Sequence, residues 1–180
     1  MTQLLAAGEI GRLSAASSVA STDTLVVYQG GVIRQATPAQ VAASSGILPT
    51  LVANVTLTSA QILTLNATPV QVLAAPGAGF VNVIYSVHAT KAAGTAYAGI
   101  AAGEDIAFRY TNASGAIIAT LEMTGFADST SATSGVAFGA SNNTVANAAI
   151  VAHMTTGEIT TGDSPFKLTI YYRTFPVPAF

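Results

Sequence analysis

Apolar and polar positions in this chain fall into short runs, and turn residues separate them at intervals too close for long helices. The densest stretch is Thr68–His88, TPVQVLAAPGAGFVNVIYSVH. Pro69 opens it, where a missing N–H costs least. Val70, Val72 and Ala74 alternate with Gln71 and Leu73. Pro76-Gly77-Ala78-Gly79 then predicts a turn, because Pro presets φ and each Gly takes φ > 0 without a Cβ clash. Phe80, Val81, Val83, Ile84, Tyr85 and Val87 follow, dense enough for a strand buried largely on both faces. The two runs read as the spine of a β-sandwich.

Around this spine the pattern predicts further strands. Thr24–Ala36 holds two apolar runs on either side of Gly30-Gly31, a pair suited to a two-residue hairpin turn. Thr37, Pro38 and Gln40 then stand at N-cap, N1 and N3 of a short helix that runs to about Ser44 and stops at Gly46. Met1–Leu13 is weakly patterned and reads as a short helix or an extended arm, and Ser14–Ser21 is Ala/Ser-rich, a linker or a segment that packs on a partner. A hairpin plus one helix is too small to hold a core alone. The boundary therefore falls near Ser45–Thr50, giving an N-terminal segment of residues 1–48 and a β-domain of residues 49–180.

Within that domain Leu51–Leu57 reads as a strand, and Thr58 with Gln61 forms a capping box ahead of Ile62, Leu63 and Leu65. Thr90–Asp105 is a loop. Ile106–Thr111 and Ala116–Thr124 are strands joined by the turn Asn112–Gly115. Phe126–Asn143 is polar, with a short strand around Val136–Phe138. Ala146–Met154 and Phe166–Phe175 complete about seven or eight strands with one short helix. The expected fold is mostly β: an antiparallel β-sandwich, jelly-roll-like, preceded by a small hairpin-plus-helix anchor.

Composition narrows what such a domain does. Of 180 residues, 51% are hydrophobic and only 8% charged, against about 25% in an average protein. Net charge is −2, which offers no electrostatic footprint for nucleic acid or anionic lipid. A surface so poor in charge favours association, so burial against copies of itself or a larger assembly competes with a surface tiled by Ser, Thr and Asn. There is no Cys, hence no disulfide framework or thiolate zinc site. The N-terminus lacks a signal-peptide pattern, and no apolar run approaches the roughly 18 residues of a membrane helix. These features suit a protein made in a cytosol, without a membrane or nucleic-acid partner.

Candidate chemistry is sparse. His88 and His153 would form a metal pair only if their strands were neighbours; strand-edge hydrogen bonding is the plainer reading. Glu104-Asp105 is an acidic doublet, but adjacent strand residues point to opposite faces. Asp23 reads as a turn cap. Ser114 lies in a turn without a catalytic partner, and Gly77-x-Gly79 lacks the rest of a dinucleotide fingerprint. Convergent carboxylates, such as Glu104 with Glu122 or Asp128, would be needed for a depolymerase. Tyr85, Tyr97, Phe108, Tyr110, Tyr171 and Tyr172 read as core and interface aromatics rather than a glycan groove. No catalytic, cofactor-binding or metal residue is assigned, and no cofactor is expected.

Two stretches carry a resemblance. Leu13-Ser14-Ala15-Ala16-Ser17, Asp23–Val27 and Gln29–Thr37 resemble the leader module that opens many tailed-phage virion proteins, with Ser14 where that pattern often has Pro. Thr58–Leu65 and Thr68–Gly79 are similar to segments of small β-domain proteins encoded among phage structural genes. The resemblance implies a non-enzymatic capsid decoration, cement or head-fibre protein on the virion surface. Residues 1–48 would engage the major capsid protein or another virion component, and the β-domain would self-associate as a homotrimer. The alternative it leaves is a tail-fibre-type module that recognises a host glycan through tyrosines such as Tyr97 or Tyr110.

Overall fold

The computed structural model describes the backbone of Leu25–Gln29 and Val32–Ala36, and residues 50–100, 103–140 and 143–177. The chain divides into two units, Met1–Leu48 and Pro49–Phe180. In the first, β1 (Leu25–Gln29) and β2 (Val32–Ala36) pair antiparallel, from Leu25 opposite Ala36 to Gln29 opposite Val32. The helix expected over Pro38–Ser44, the Ser14–Ser21 linker, the Met1–Leu13 stretch and Asp23 lie outside the described residues.

The second unit is mostly β. Its described elements are β3 (Leu51–Leu57), α1 (Ser59–Leu63), β4 (Val70–Leu73), β5 (Phe80–Lys91), β6 (Ile106–Tyr110), β7 (Ile117–Leu121), β8 (Thr133–Phe138), β9 (Ile150–Met154) and β10 (Phe166–Pro176). They form two antiparallel four-stranded sheets, ordered β3-β10-β5-β8 and β4-β9-β6-β7. First and last strands are neighbours, with Leu57 opposite Phe166 and Leu51 opposite Tyr172.

Local chemistry accounts for the joints. Thr58 Oγ1 accepts the Gln61 N–H at 3.2 Å while Gln61 Oε1 accepts the Thr58 N–H at 2.9 Å. This capping box starts the single turn of α1, which drops Ile62 and then Leu65 into the core. Gly77 and Gly79 both adopt positive φ, as the turn between β4 and β5 requires. That turn carries the chain from one sheet to the other, so the two runs of the spine lie on opposite sides of a shared core.

The core is one cluster drawn from both sheets, including Leu57, Ile106, Phe108, Leu121, Ile150, Met154 and Phe166. Tyr97 and Phe126 close on Phe166, with ring centroids 5.3 and 4.9 Å away. Two polar ties complete it. The Tyr110 hydroxyl donates to the Asn82 carbonyl at 2.6 Å, bonding β6 in one sheet to β5 in the other. Lys91, almost wholly buried, donates from Nζ to the carbonyls of Ser129, Ala92 and Ser131 at 2.7, 3.2 and 3.4 Å. A buried ammonium with several acceptors holds the loop ahead of β8 over the core.

Several boundaries differ from the sequence reading. β5 runs on to Lys91. Its first half is buried on both sides, with Val81 and Asn82 each 4% exposed, whereas from Ser86 onward burial alternates and His88 and Thr90 are exposed. Its pairing with β10 skips from Ser86 to Ile84, so Tyr85 is an inserted residue. This bulge shifts the alternation, and both Ile84 and Val87 turn inward. The expected burial on both faces therefore holds for Val81–Ile84 and gives way to alternation after the bulge. β8 is longer than Val136–Phe138. β9 starts at Ile150 rather than Ala146, because Asn147 takes φ 50° in the preceding turn.

Candidate interaction surface

The connections β3–β4, β5–β6, β7–β8 and β9–β10 share one end of the domain. All six carboxylates of residues 50–177 lie in these connections: Glu104, Asp105, Glu122, Asp128, Glu158 and Asp163. Most of them cap loop backbone. Glu158 accepts the Ala67 N–H at 2.8 Å, Asp163 the Thr95 N–H at 2.8 Å, and Asp128 the Gly125 N–H at 2.7 Å.

Asp105 meets Glu122. Ile106 pairs with Leu121, which sets Asp105 and Glu122 next in register, and their side chains hydrogen-bond. Burial first, and then the Glu122 charge, hold the Asp105 carboxyl above its ordinary value, opposed by its bond from the Met123 N–H. Bonds from the Thr124 N–H and hydroxyl pull the exposed Glu122 below its own. Two carboxyls in direct hydrogen bond leave no room for a sugar or a water between them.

The other nominated groups disperse. His88 faces outward on β5 with its ring edge on Tyr171, centroids 5.5 Å apart. His153 is on β9 in the other sheet, so the two cannot share a metal. Burial first, and then the Arg109 charge, hold His153 below the usual imidazole value. Among the described residues no group of three or more His, Asp or Glu gathers to hold a metal ion. Tyr97 and Tyr110 are each 1% exposed, their hydroxyls spent on the Ser164 and Asn82 carbonyls. Neither is available to a glycan. Ser114 sits in the β6–β7 turn, its N–H bonded to Asn112 Oδ1.

What the domain does present is the outer face of the first sheet. The pairing registers line up Val52, Tyr171, Ser86 and Phe138 in one row across all four strands, and Asn54, Thr169, His88 and Val136 in the next. Thr169 Oγ1 donates to Asn54 Oδ1 at 3.0 Å. Beyond the first row, the Arg173 guanidinium lies 5.2 Å from the Tyr85 ring centroid, and its Nε donates to Thr50 Oγ1 at 3.2 Å. Six large apolar side chains exposed by more than a third belong to this sheet: Leu51, Val52, Phe80, Tyr85, Val136 and Phe138. The strands of the sheet contain no carboxylate. Exposed apolar area gathered on one sheet, with Arg173 held by a ring and a hydroxyl, has the chemistry of a contact surface rather than of a catalytic cleft.

A pocket adjoins the face. β8 pairs with Ser86–Lys91, so among the described residues the Phe80–Tyr85 half of β5 has no strand on that side. Past Phe138 the chain crosses to the other sheet: the Gly139 N–H bonds Tyr85 O and the Ala140 N–H bonds Ile118 O, both at 2.9 Å. Beneath this crossing lies a cavity of about 310 Å³, lined by Val83, Ile84, Tyr85, Tyr110, Ile118, Gly139, Ala140 and Thr144. None of these residues is charged. A Cβ on Gly139 would collide with the Ile84 carbonyl, so the crossing needs glycine there.

The sequence reading placed Tyr85 and Tyr171 among interface aromatics but passed over Phe138. The signal for it was a lone Phe in a Ser/Thr/Gly segment, two residues beyond Val136. Comparison with protein families, with characterised proteins and with solved structures gives no match.

Proposed function

We propose that this protein is a non-enzymatic structural component of a tailed-phage virion that decorates or stabilises the capsid, as a decoration, cement or head-fibre protein. In this reading residues 1–48 engage the capsid or another virion component. Residues 49–180 form a β-sandwich of jelly-roll type that associates with copies of itself as a homotrimer on the capsid surface. The observation that carries the reading is the carboxylate-free apolar face of the first sheet on a chain with 8% charged residues. A free monomer gains nothing from such a face, whereas a protein packed in an assembly does.

Two further features support it. The strand orders β3-β10-β5-β8 and β4-β9-β6-β7 follow the wrapping of a jelly roll, an architecture of viral capsid and lectin domains. The resemblance of Leu13–Thr37 and Thr58–Gly79 to virion proteins points the same way. The test is co-sedimentation with phage capsids stripped of their decoration. The full chain should bind and residues 49–180 alone should not. Equal binding by both would remove the anchoring role of residues 1–48, and no binding by either would remove the capsid reading. The glycan-recognising alternative no longer rests on Tyr97 or Tyr110. It requires Tyr85 and Tyr171 on the open face, and a glycan panel that stays silent for the wild type excludes it.

A further inference from the structure

We infer that copies of this chain hold one another by inserting Phe138 of each into the cavity lined by Ile84, Ile118 and Ala140 of the next. This deepens the self-association reading above and rests on it. Phe138 is the most exposed large apolar side chain described, at 70%. It ends β8, and the next two residues, Gly139 and Ala140, line the cavity. Knob and hole therefore lie side by side on every copy, so each copy gives one ring and receives one. That arrangement closes around a two-fold or a three-fold axis without leaving a free knob.

The chemistry of the hole selects its occupant. Val83, Ile84, Ile118 and Ala140 supply apolar walls, Tyr85 stands half-exposed at the mouth, and no charged group lines the space. The Tyr110 hydroxyl is already committed to the Asn82 carbonyl. An uncharged ring satisfies such walls, and a charged or strongly hydrogen-bonding group does not. The cavity exists because β8 covers only half of β5, and the apolar face continues from its mouth through Phe138 and Val136. A second copy that seats its ring would cover this continuous strip and meet no carboxylate on the strands.

The test uses the full chain. Light scattering on a sizing column gives the mass at about 1 and about 100 µM, a range that brackets micromolar association. The wild type should be a trimer. Phe138→Asp should weaken association by roughly 30-fold or more, as loss of an anchoring aromatic does. Ala140→Phe, which fills the hole from its own chain at an exposed position, should do the same while leaving Phe138 in place. Both should melt near the monomer's temperature, since neither side chain belongs to the core. An oligomer that persists in both variants overturns the knob-and-hole contact but leaves self-association standing. A wild type that stays monomeric overturns both. A monomer stabilised by indole, with the effect lost in Ala140→Phe, assigns the cavity to a small apolar ligand and overturns the proposal.

Discussion

Asn82 offers the sharpest test of how the two sheets are joined. It is 4% exposed, and its side chain bonds in two directions: Nδ2 donates to the Ala74 carbonyl at 3.0 Å, and Oδ1 accepts the Thr174 hydroxyl at 2.7 Å. One amide thus links β5 to β10 in its own sheet and to the chain just past β4 of the other. Asn82→Ala removes both bonds, each worth about 1 kcal/mol net, and leaves a small void. The Ala74 carbonyl can turn to water because Ala74 is exposed, whereas the half-buried Thr174 hydroxyl is less able to. The expected loss is about 2–3 kcal/mol, which for a domain of this size lowers the melting temperature by roughly 6–12 °C. Thr174→Val alone should cost about 1 kcal/mol, and the double variant about 1 kcal/mol less than the sum, because the shared bond is lost only once. Calorimetry of the four proteins at one pH and concentration measures this. A melting temperature within about 2 °C of wild type for Asn82→Ala, or strict additivity in the cycle, would refute the idea that this amide holds the sheets.

Four further outcomes follow from the geometry. Asp105 is held above its ordinary value, so its charged form burdens the native domain above the folded-state value and the burden lifts as pH falls. Asp105→Asn, which keeps an acceptor for the Met123 N–H, should therefore melt higher than wild type at pH 7, with the difference closing toward pH 3 in a series of melts. Tyr97 is pushed up to about 12, by burial first and then by the Asp163 charge. An unfolded tyrosine ionises near 10, so stability is lost as pH rises between about 10 and about 12. Ultraviolet titration should show fewer phenols ionising near 10 in the folded protein, because burial also holds Tyr110 above its ordinary value, and Tyr97→Phe should remove one of the late phenols. Thr58→Ala breaks the capping box and should cost about 0.5–2 kcal/mol in denaturant melts. Gly115→Ala sets a Cβ against the Tyr110 carbonyl in the β6–β7 turn and should destabilise the domain by more than Thr58→Ala does.

Much of the secondary structure was legible before any contact was known. The Thr58–Gln61 capping box, the Pro76–Gly79 turn and the Asn112–Gly115 turn depend on residues within four positions of one another, and local backbone chemistry is sufficient for each. Periodicity marked about seven or eight strands in the β-domain for the same reason: alternation is a property of the strand itself. Glu104, Asp105, Asp128, Glu158 and Asp163 were legible as loop residues, whereas Glu122 read as part of the strand that stops at Leu121, and no pattern foretold that carboxylates would cap backbone or one another.

Tertiary structure decided the rest, because the deciding contacts join distant residues. Nothing local makes Leu51–Leu57 pair with Phe166–Tyr172 more than a hundred positions away. The bulge at Tyr85 exists only against β10, and it lets both Ile84 and Val87 turn inward. Tyr97 and Tyr110 looked like Tyr85 and Tyr171 in sequence. Burial separates them, since two hydroxyls found carbonyl partners inside while the other two rings stayed on the outer face of the sheet. Phe138 gains its meaning from the shortness of β8 beside β5, a mismatch between two strands that neither strand records alone.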